Sequence, residues 1–325
     1  MSQAATPVPD PVTARVLVTG AAGFVGSRVV EMLAGTTDHR VIALDVVESP
    51  RLCELASLPA VDFRAMDLRD TDALESVVSE TDAIVHLAAV RTQAAKKRPK
   101  DAHDINVGTT YDLLSAATKH GVRRFVFGST NTIYGPYQDP ATEPVREDRP
   151  WVPQGINMYA ATKLASEAYL EAFAGLGGPE YIALRIGPIY GPRVSPGSNG
   201  SLSVEILHAL DRSERPIVSW ARDSVHSFVY IDDVAKAIVA SLSAAQTGLA
   251  VNVVGAPVTA ETFCSRIVEL YGHDPSQIEW KSERTRYQRV SQGRMREVLG
   301  FAPETTLDEG LQSVINWHRK QSQPR

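Results

Sequence analysis

The chain has 325 residues, of which 43% are hydrophobic, and a formal net charge of −5. Its length allows one large α/β domain with an appended lobe, or two domains. The acidic balance disfavours general binding to nucleic acid, which requires a concentrated positive surface.

Other simple features exclude further classes of protein. The two cysteines do not form a CxxC pair, so we expect neither a disulfide framework nor a structural zinc site. The sequence contains no apolar run of about 18 residues, so no membrane-spanning helix is predicted. No cluster of His, Asp or Glu has the spacing of metal ligands, and we expect no metal. A reducing, cytoplasmic setting is the expectation that fits these features.

The chain then divides into strand-like and helix-like segments. Residues 1–14 contain three prolines and no apolar core, which predicts a disordered leader and not a signal peptide. Short apolar runs predict strands at Arg15–Thr19, Arg40–Asp45, Val61–Met66, Ala83–Leu87, Arg124–Gly128 and Tyr181–Arg185. Helical patterns alternate with them at Gly26–Leu33, Asp72–Ser79, Asp101–His120 and Met158–Ala174. Because strands of nearly unbroken apolarity are buried on both faces, this alternation predicts an α/β fold with a doubly wound parallel (Rossmann) sheet over residues 15–185.

After Arg185 the pattern loosens into shorter and more mixed pieces. We interpret residues 186–320 mainly as a smaller, mixed α/β lobe that covers the carboxyl edge of the sheet and binds substrate. Part of residues 226–253 is a candidate for return to the main domain. The predicted elements are a strand near Ser227–Ile231 and helices near Leu202–Leu210, Val234–Ala244, Ala260–Tyr271 and Leu307–Arg319.

The stretch GAAGFVG places three glycines three residues apart between the first strand and the first helix. Gly20 permits a sharp turn, Gly23 lets a pyrophosphate approach the backbone, and Gly26 lets the helix pack closely on the sheet. Asp45 ends the second strand, where a carboxylate would bind the ribose 2′-hydroxyl. Together these features predict a dinucleotide site, with a simple turn and a solvent-facing Asp45 as the alternative. NAD is favoured over NADP because a 2′-phosphate would meet the carboxylate's charge.

Tyr159 and Lys163 form a Tyr-x-x-x-Lys motif on a predicted helix. Their spacing places both side chains on one helix face. A free tyrosine has a pKa of about 10 and is a poor base at neutral pH, but a neighbouring ammonium favours the phenolate. The pair therefore predicts a tyrosine general base whose pKa is lowered by Lys163 together with the nicotinamide charge. The alternative is an ordinary exposed helix pair.

These motifs and several others jointly resemble a known family. The others are DLRD from Asp67, HLAA from His86, Asn106, FVFGSTNTIYG from Phe125, LRIGPIYGPR from Leu184 and FVYIDDVAKAI from Phe228. Over nearly all of residues 15–320 the chain resembles the extended short-chain dehydrogenases/reductases of the NAD-dependent sugar epimerase/dehydratase family.

The resemblance implies roles for individual residues. Thr130, with Ser129 as its competitor, would hydrogen-bond the reacting hydroxyl or carbonyl. Tyr159 would be the general acid/base, and Lys163 its partner and a ligand of the nicotinamide ribose. It also implies cofactor contacts from the glycine loop and the second strand, at Gly20, Gly23, Phe24, Val25, Gly26 and Asp45. Asp67 and Leu68 would contact the adenine, and the backbone of Leu87, Ala88 and Ala89 would form a wall along the cofactor. Asn106 and Gly187 complete the implied contacts.

Three departures from the family pattern bear on the reaction. Thr130 is followed by Asn131 and Thr132 where dehydratases carry an acidic pair, which argues against dehydration. Pro188 stands where many epimerases have a phosphate-binding Asn. His226 replaces an arginine that grips the diphosphate, and an imidazole is a poorer clamp than a forked guanidinium. The candidate substrate contacts are Arg91, Asn131, Arg193, Asn199, His226 and Arg289.

These observations favour an NAD-dependent sugar epimerase that acts on a nucleotide sugar at its 4-position through a transient keto intermediate. An NAD-dependent dehydrogenase of a sugar acid, similar to the uronate dehydrogenases, is the first alternative. A redox-sensing NAD-binding regulator without turnover is the second. The helical patterns at Asp101–His120 and Met158–Ala174 match segments that pair across a two-fold axis in the family, so a homodimer is expected.

Overall fold

The computed structural model describes residues 14–36, 39–135, 143–149, 155–194 and 201–322. Its strands are β1 (Ala14–Thr19), β2 (His39–Asp45), β3 (Val61–Ala65), β4 (Ala83–His86), β5 (Arg124–Thr130), β6 (Glu180–Ile186), β7 (Ile189–Tyr190), β8 (Ile217–Val218), β9 (Val225–His226), β10 (Val229–Tyr230), β11 (Leu249–Val253), β12 (Val258–Thr259) and β13 (Glu279–Trp280). Its α-helices are α1 (Phe24–Ala34), α2 (Pro50–Ala56), α3 (Thr71–Val78), α4 (Thr92–Lys97), α5 (Pro99–His103), α6 (Thr109–Lys119), α7 (Met158–Gly175), α8 (Leu202–Asp211), α9 (Ile231–Ser241), α10 (Ala260–Tyr271), α11 (Gly293–Leu299) and α12 (Leu307–Ser322).

A seven-stranded sheet forms the centre of the protein, in the order β11-β6-β5-β4-β1-β2-β3. Every adjacent pair in this sheet is parallel. Successive side chains of β1 enter opposite cores, because side chains alternate across a strand: Val16 and Val18 pack with α1, α2, α9 and α11, and Leu17 packs with α3, α6 and α7. The predicted doubly wound parallel sheet is therefore confirmed.

A smaller lobe follows β6 and has a core of its own. Buried residues of α8, α10 and α12 form this core together with aromatic side chains such as Tyr190, Phe228 and Phe263. The chain returns to the sheet within the lobe sequence, because β11 pairs with β6 and α9 packs beside α1. None of the helices in the described ranges is long and apolar enough to cross a bilayer.

The helix predicted over Asp101–His120 is interrupted in the structure. A π-helical turn at Asp104–Gly108 separates α5 from α6. At this turn Asn106 reaches sideways, accepting a hydrogen bond from the Val90 amide (2.7 Å) and donating to the Val90 carbonyl (3.0 Å) and to the Thr162 hydroxyl (2.9 Å). The widened turn thus ties this helix to α7 and to the segment after β4. Such turns are frequent next to functional sites.

Candidate active site

A cavity of about 1050 Å³ lies at the carboxyl end of the sheet. Segments that follow β1, β4, β5 and β6 form its floor, and Trp220, His226 and Gln288 of the lobe form its far wall. It lies where the strand order reverses between β1 and β4, which is the usual ligand site of open α/β sheets. The volume is just above the range of about 300–1000 Å³ that is typical of small-molecule sites.

The glycine loop is packed so tightly that side chains would not fit. Gly20 has a φ of +70°, and a Cβ added there would lie 2.8 Å from the amide nitrogen of Ala88. A Cβ on Gly26 would lie 2.0 Å from the carbonyl oxygen of Gly20. Helix α1 begins at Phe24, directly after Gly23, so the free amides of its first turn face the cavity. This bare backbone at a helix start fits an anionic diphosphate.

Asp45 lies beside the glycine loop at the edge of the cavity. One of its carboxylate oxygens accepts a hydrogen bond from the Ala22 amide (2.9 Å), and the other accepts from the Val47 amide (3.1 Å). These two backbone bonds fix the carboxylate where a ribose diol would donate to it. The fit supports the predicted adenosine half of a dinucleotide site.

Asp67 and Leu68 line the same end of the cavity. The Arg69 guanidinium hydrogen-bonds the Asp67 carboxylate (3.0 Å) and holds the pKa of that carboxyl below its usual range. Leu68 is buried and lines the cavity with an apolar side chain. The two residues thus offer a partly apolar contact that suits a base.

A buried chain of hydrogen bonds holds the segment after β4 in place. Thr19 Oγ1 accepts from the amides of Leu87 (3.2 Å) and Ala88 (3.3 Å) and pairs with His86 Nδ1 (2.7 Å). His86 Nε2 pairs with the Thr110 hydroxyl (3.1 Å). Burial, aided by the charge of Lys163, lowers the pKa of His86 to about 3, so the ring is neutral. His86 therefore helps to hold the segment of Leu87 and Ala88 in place, and its ring does not line the cavity.

The reacting end of the cavity is built on β5 and α7. Thr130 ends β5, and its hydroxyl caps the following 3₁₀ turn by accepting from the Thr132 amide (3.2 Å). Asn157 caps α7 by accepting from the Ala160 amide (2.9 Å), which fixes Tyr159 in the first turn of this helix. Thr130 and Tyr159 line one cavity. Two side-chain hydroxyl groups thus face one space.

Lys163 lies on the same face of α7, and only 1% of its surface is exposed. Its Nζ atom is 4.5 Å from the centre of the Phe127 ring. Burial lowers the pKa of Lys163 to about 7, against the opposing charge of Glu167. Burial also raises the pKa of Tyr159 to about 12, against the opposing charge of Arg91.

These shifts describe the protein alone, so the prediction that Lys163 together with the nicotinamide charge lowers the pKa of Tyr159 stays a prediction. Desolvation of the phenolate outweighs the attraction of the nearby cations, so the protein alone keeps Tyr159 protonated at neutral pH. The positive nicotinamide ring of the oxidised cofactor would supply a further charge at this end of the cavity.

Two buried polar groups at the substrate end of the cavity have no hydrogen-bond partner in the described part of the chain. They are Nδ2 of Asn131, a residue 3% exposed, and Nε2 of His226, a residue 4% exposed. Burial lowers the pKa of His226 to about 4, so this ring is neutral. It packs against Trp220 at 4.4 Å between ring centres. Orphaned polar groups of this kind are suited to a ligand that completes their hydrogen bonds.

The structure brings most of the predicted site residues to the cavity. Those that line it are Gly20, Gly23, Phe24, Val25, Gly26, Asp45, Asp67, Leu68, Leu87, Ala88, Ala89, Arg91, Thr130, Asn131, Tyr159, Lys163, Gly187 and His226.

Three predicted residues lie elsewhere. The Asn106 side chain does not line the cavity. Its amide oxygen and nitrogen are instead bonded to Val90 and Thr162. Arg193 lines a separate cleft beside α1 and α12, with its guanidinium 3.5 Å from the Glu31 carboxylate. Arg289 is outside the cavity lining. The predicted contact Asn199 lies outside the described residues.

Among the lining residues that the sequence patterns did not single out are Asn157, Trp220, Arg286 and Gln288. The aromatic residue in the stretch SWARDS and the arginines of RTRYQR are the signals that could have indicated the lobe wall. Within the described ranges, no group of three or more His, Cys, Asp or Glu side chains is arranged to hold a metal ion.

Comparison with known proteins relates this site to characterised enzymes. The UDP-glucose 4-epimerase of Mycolicibacterium smegmatis is 32% identical over 95% of this chain and 100% of its own length. The dTDP-glucose 4,6-dehydratase of Streptomyces griseus is 29% identical over 95% of each chain. A crystal structure of UDP-glucose 4-epimerase from Thermotoga maritima with UDP-glucose has a TM-score of 0.85 and 27% identity, with 95% of this chain and 100% of that chain covered.

The sequence model of the NAD dependent epimerase/dehydratase family matches residues 16–254. This range contains the glycine loop, Asp45, Thr130, Tyr159 and Lys163. NAD is the cofactor on which this family depends, and the glycine loop with its neighbouring carboxylate fits that cofactor. The chain belongs to the NAD-dependent epimerase/dehydratase family.

Proposed function

We propose that the protein is an NAD-dependent nucleotide-sugar epimerase that inverts the 4-position of the sugar through a transient keto intermediate. One observation carries this proposal: Thr130, Tyr159 and Lys163 line the same cavity as the glycine loop and Asp45. A carbinol bound beside Tyr159 would thus lie in one space with the cofactor. The similarity to UDP-glucose 4-epimerases supports a nucleotide sugar as the substrate.

The chemistry divides between cofactor and protein. Bound NAD would accept a hydride from the carbinol carbon and later return it to the other face of the keto sugar. Tyr159 takes the hydroxyl proton as the carbonyl forms and gives it back when the carbinol is restored. The Thr130 hydroxyl hydrogen-bonds the reacting oxygen. Lys163, as an ammonium, binds the nicotinamide ribose and adds positive charge beside the phenol.

The residues after Thr130 favour epimerisation over dehydration. Loss of water from the sugar requires a group that can protonate the leaving hydroxyl. Asn131 and Thr132 line the cavity at this place, and neither side chain is an acid. The unpartnered Nδ2 of Asn131 is instead suited to donate a hydrogen bond to a neutral sugar oxygen.

A second candidate function is an NAD-dependent dehydrogenase of a sugar acid. The observation that favours it is His226, a buried and neutral ring on the lobe wall. A neutral imidazole binds a diphosphate weakly, so its place on the lobe wall is compatible with a substrate that carries no diphosphate.

The deciding experiment incubates the protein with excess NAD and a panel of UDP- and dTDP-sugars and free sugar acids. Reduced nicotinamide is followed by absorbance, and products are separated by chromatography. The epimerase proposal requires many turnovers of a nucleotide sugar into its 4-epimer without bulk NADH. One NADH per turnover supports the dehydrogenase, and a 4-keto-6-deoxy product supports a dehydratase. NAD binding without turnover of any substrate supports the regulator.

A further inference from the structure

A buried ion pair lies directly behind the reacting end of the cavity. Glu167 of α7 and Arg185 of β6 are joined by a 2.7 Å bond from Arg185 Nη2, and Nε of Arg185 lies 3.2 Å from each carboxylate oxygen. The side chains are only 9% and 13% exposed. Ser129, the neighbour of Thr130, also donates its hydroxyl to Glu167. The carboxylate is thereby held on both of its oxygens.

Glu167 follows Lys163 by four residues on α7, so the two side chains are neighbours on one helix face. The other titratable groups near Lys163 carry no negative charge at neutral pH. His86 of β4 is neutral, and Tyr159 of α7 is a phenol. Glu167 is therefore the acid whose charge opposes the effect of burial on Lys163.

A buried ion pair is weak evidence for a role in stability. The position of this pair next to Lys163 therefore suggests a role in the site. The desolvation penalty of two charges commonly offsets their attraction, and apolar replacements are often as stable. Arg185 also donates to the Tyr134 hydroxyl (3.0 Å) and to the Glu147 carbonyl (2.9 Å), so its position is fixed from the far side. These contacts fix the Glu167 carboxylate in place, one helical turn from Lys163.

We propose that Glu167 is a positioning residue of the reaction centre: its carboxylate, clamped by Ser129 and Arg185, favours the ammonium form of Lys163 one helical turn away. The inference rests on the proposed role of Lys163 as a cation beside Tyr159. It adds that this cation depends on a residue that does not line the cavity.

The test measures the charge of Lys163 without any substrate. Protein labelled with ¹³C at the lysine ε-carbons is titrated by NMR, and the Lys163 signal is assigned by its loss in Lys163→Met. Glu167→Gln preserves the shape of the side chain and removes its charge, so the Lys163 midpoint should fall by about 1 pH unit or more. Glu171→Gln is the matched control, because Glu171 lies one turn further on and bonds the Tyr181 hydroxyl (2.5 Å). It should leave the midpoint unchanged.

A second variant keeps the proposal falsifiable if Glu167→Gln does not fold. Arg185→Gln removes the cation that neutralises Glu167, so the Lys163 midpoint should rise. Opposite shifts in the two variants are not expected from general damage to the fold. An unchanged midpoint in Glu167→Gln, or a lowered one in Arg185→Gln, overturns the proposal. The titration gives these answers whether or not the protein proves to be an epimerase.

Discussion

The Nζ atom of Lys163 lies 6.0 Å from the centre of the Tyr159 ring, and both residues belong to the first two turns of α7. Burial raises the pKa of Tyr159 to about 12, and only the charge of Arg91 opposes this shift in the protein alone. We therefore expect proton removal by Tyr159 to depend on positive charge bound beside the phenol, such as that of an oxidised nicotinamide.

The Tyr159→Phe variant tests the acid/base role directly. Removal of the hydroxyl leaves the ring in place but takes away the proton acceptor, so turnover should fall by about 10²–10⁴-fold. NAD affinity, measured by calorimetry, should change little. The control is Tyr169→Phe, an exposed tyrosine on the same helix. Near-normal turnover of Tyr159→Phe would refute the assignment.

The Asp45 carboxylate should select the cofactor. It is held at the cavity edge by two backbone amides and would repel a 2′-phosphate. NAD should therefore bind more tightly than NADP by about tenfold or more, which is about 1.4 kcal/mol or more. Asp45→Asn should narrow this difference, and Asp82→Asn, near the amino end of the sheet, should not. Equal affinities of the wild-type protein for the two cofactors would contradict the prediction.

The buried amine of Lys163 should make stability depend on pH. The pKa of Lys163 is lowered from 10.5 to about 7 in the folded protein, so between these values the unfolded chain binds more protons and stability rises with pH. Below pH 7 the folded protein bears the full penalty, at about 1.4 kcal/mol per pKa unit. Lys163→Met should therefore stabilise the protein most below pH 7, with a gain that fades towards pH 10.5.

Urea unfolding of wild type and Lys163→Met across this range measures the gain. Lys236→Met, which replaces an exposed lysine of α9, serves as the control. A gain that is constant with pH would show that the amine of Lys163 is not affected by burial.

An exposed aromatic patch on α6 and α7 leads us to expect a homodimer. Tyr111, which is 47% exposed, packs edge-on against Tyr169 at 5.6 Å and against Phe173 at 5.4 Å. Adjacent exposed aromatic side chains are typical of an interaction surface, and two copies of one helical face can pair about a two-fold axis. Tyr111→Glu should yield a monomer by sedimentation at micromolar concentration, whereas Leu58→Glu should not. A wild-type monomer would contradict this expectation.

The sequence predicts the floor of the cavity well, because its residues follow strands that read as apolar runs. Gly20, Asp45 and Thr130 each lie at the carboxyl end of such a strand, and parallel strands bring these ends together. The interruption at Asn106 was not predictable, since it depends on a side-chain bond to the distant Val90. Burial depth is likewise absent from the sequence, which is why the upward pKa shift of Tyr159 in the protein alone was not predicted.

The lobe wall was predicted least well. Residues 286–288 run beside β9, where the Val225 amide donates to the Arg286 carbonyl and the Gln288 amide donates to the Val225 carbonyl. In such an extended segment alternate side chains face the same way, so Arg286 and Gln288 reach the cavity and Arg289 does not. That register is set by a tertiary pairing, and the sequence spacing of the arginines does not reveal it.

The path of the chain limits how this enzyme could be recombined with its relatives. The polypeptide leaves the sheet after β6, returns for α9 and β11, leaves again for α10, and sends α11 back against β11 before it ends in α12. A chimera with a foreign lobe therefore cannot be made at one junction. It requires several junctions, and each must preserve the packing between lobe segments and the returning segments α9, β11 and α11. Gradual substitution within the lobe is consequently an easier evolutionary route to a new specificity than exchange of the whole lobe.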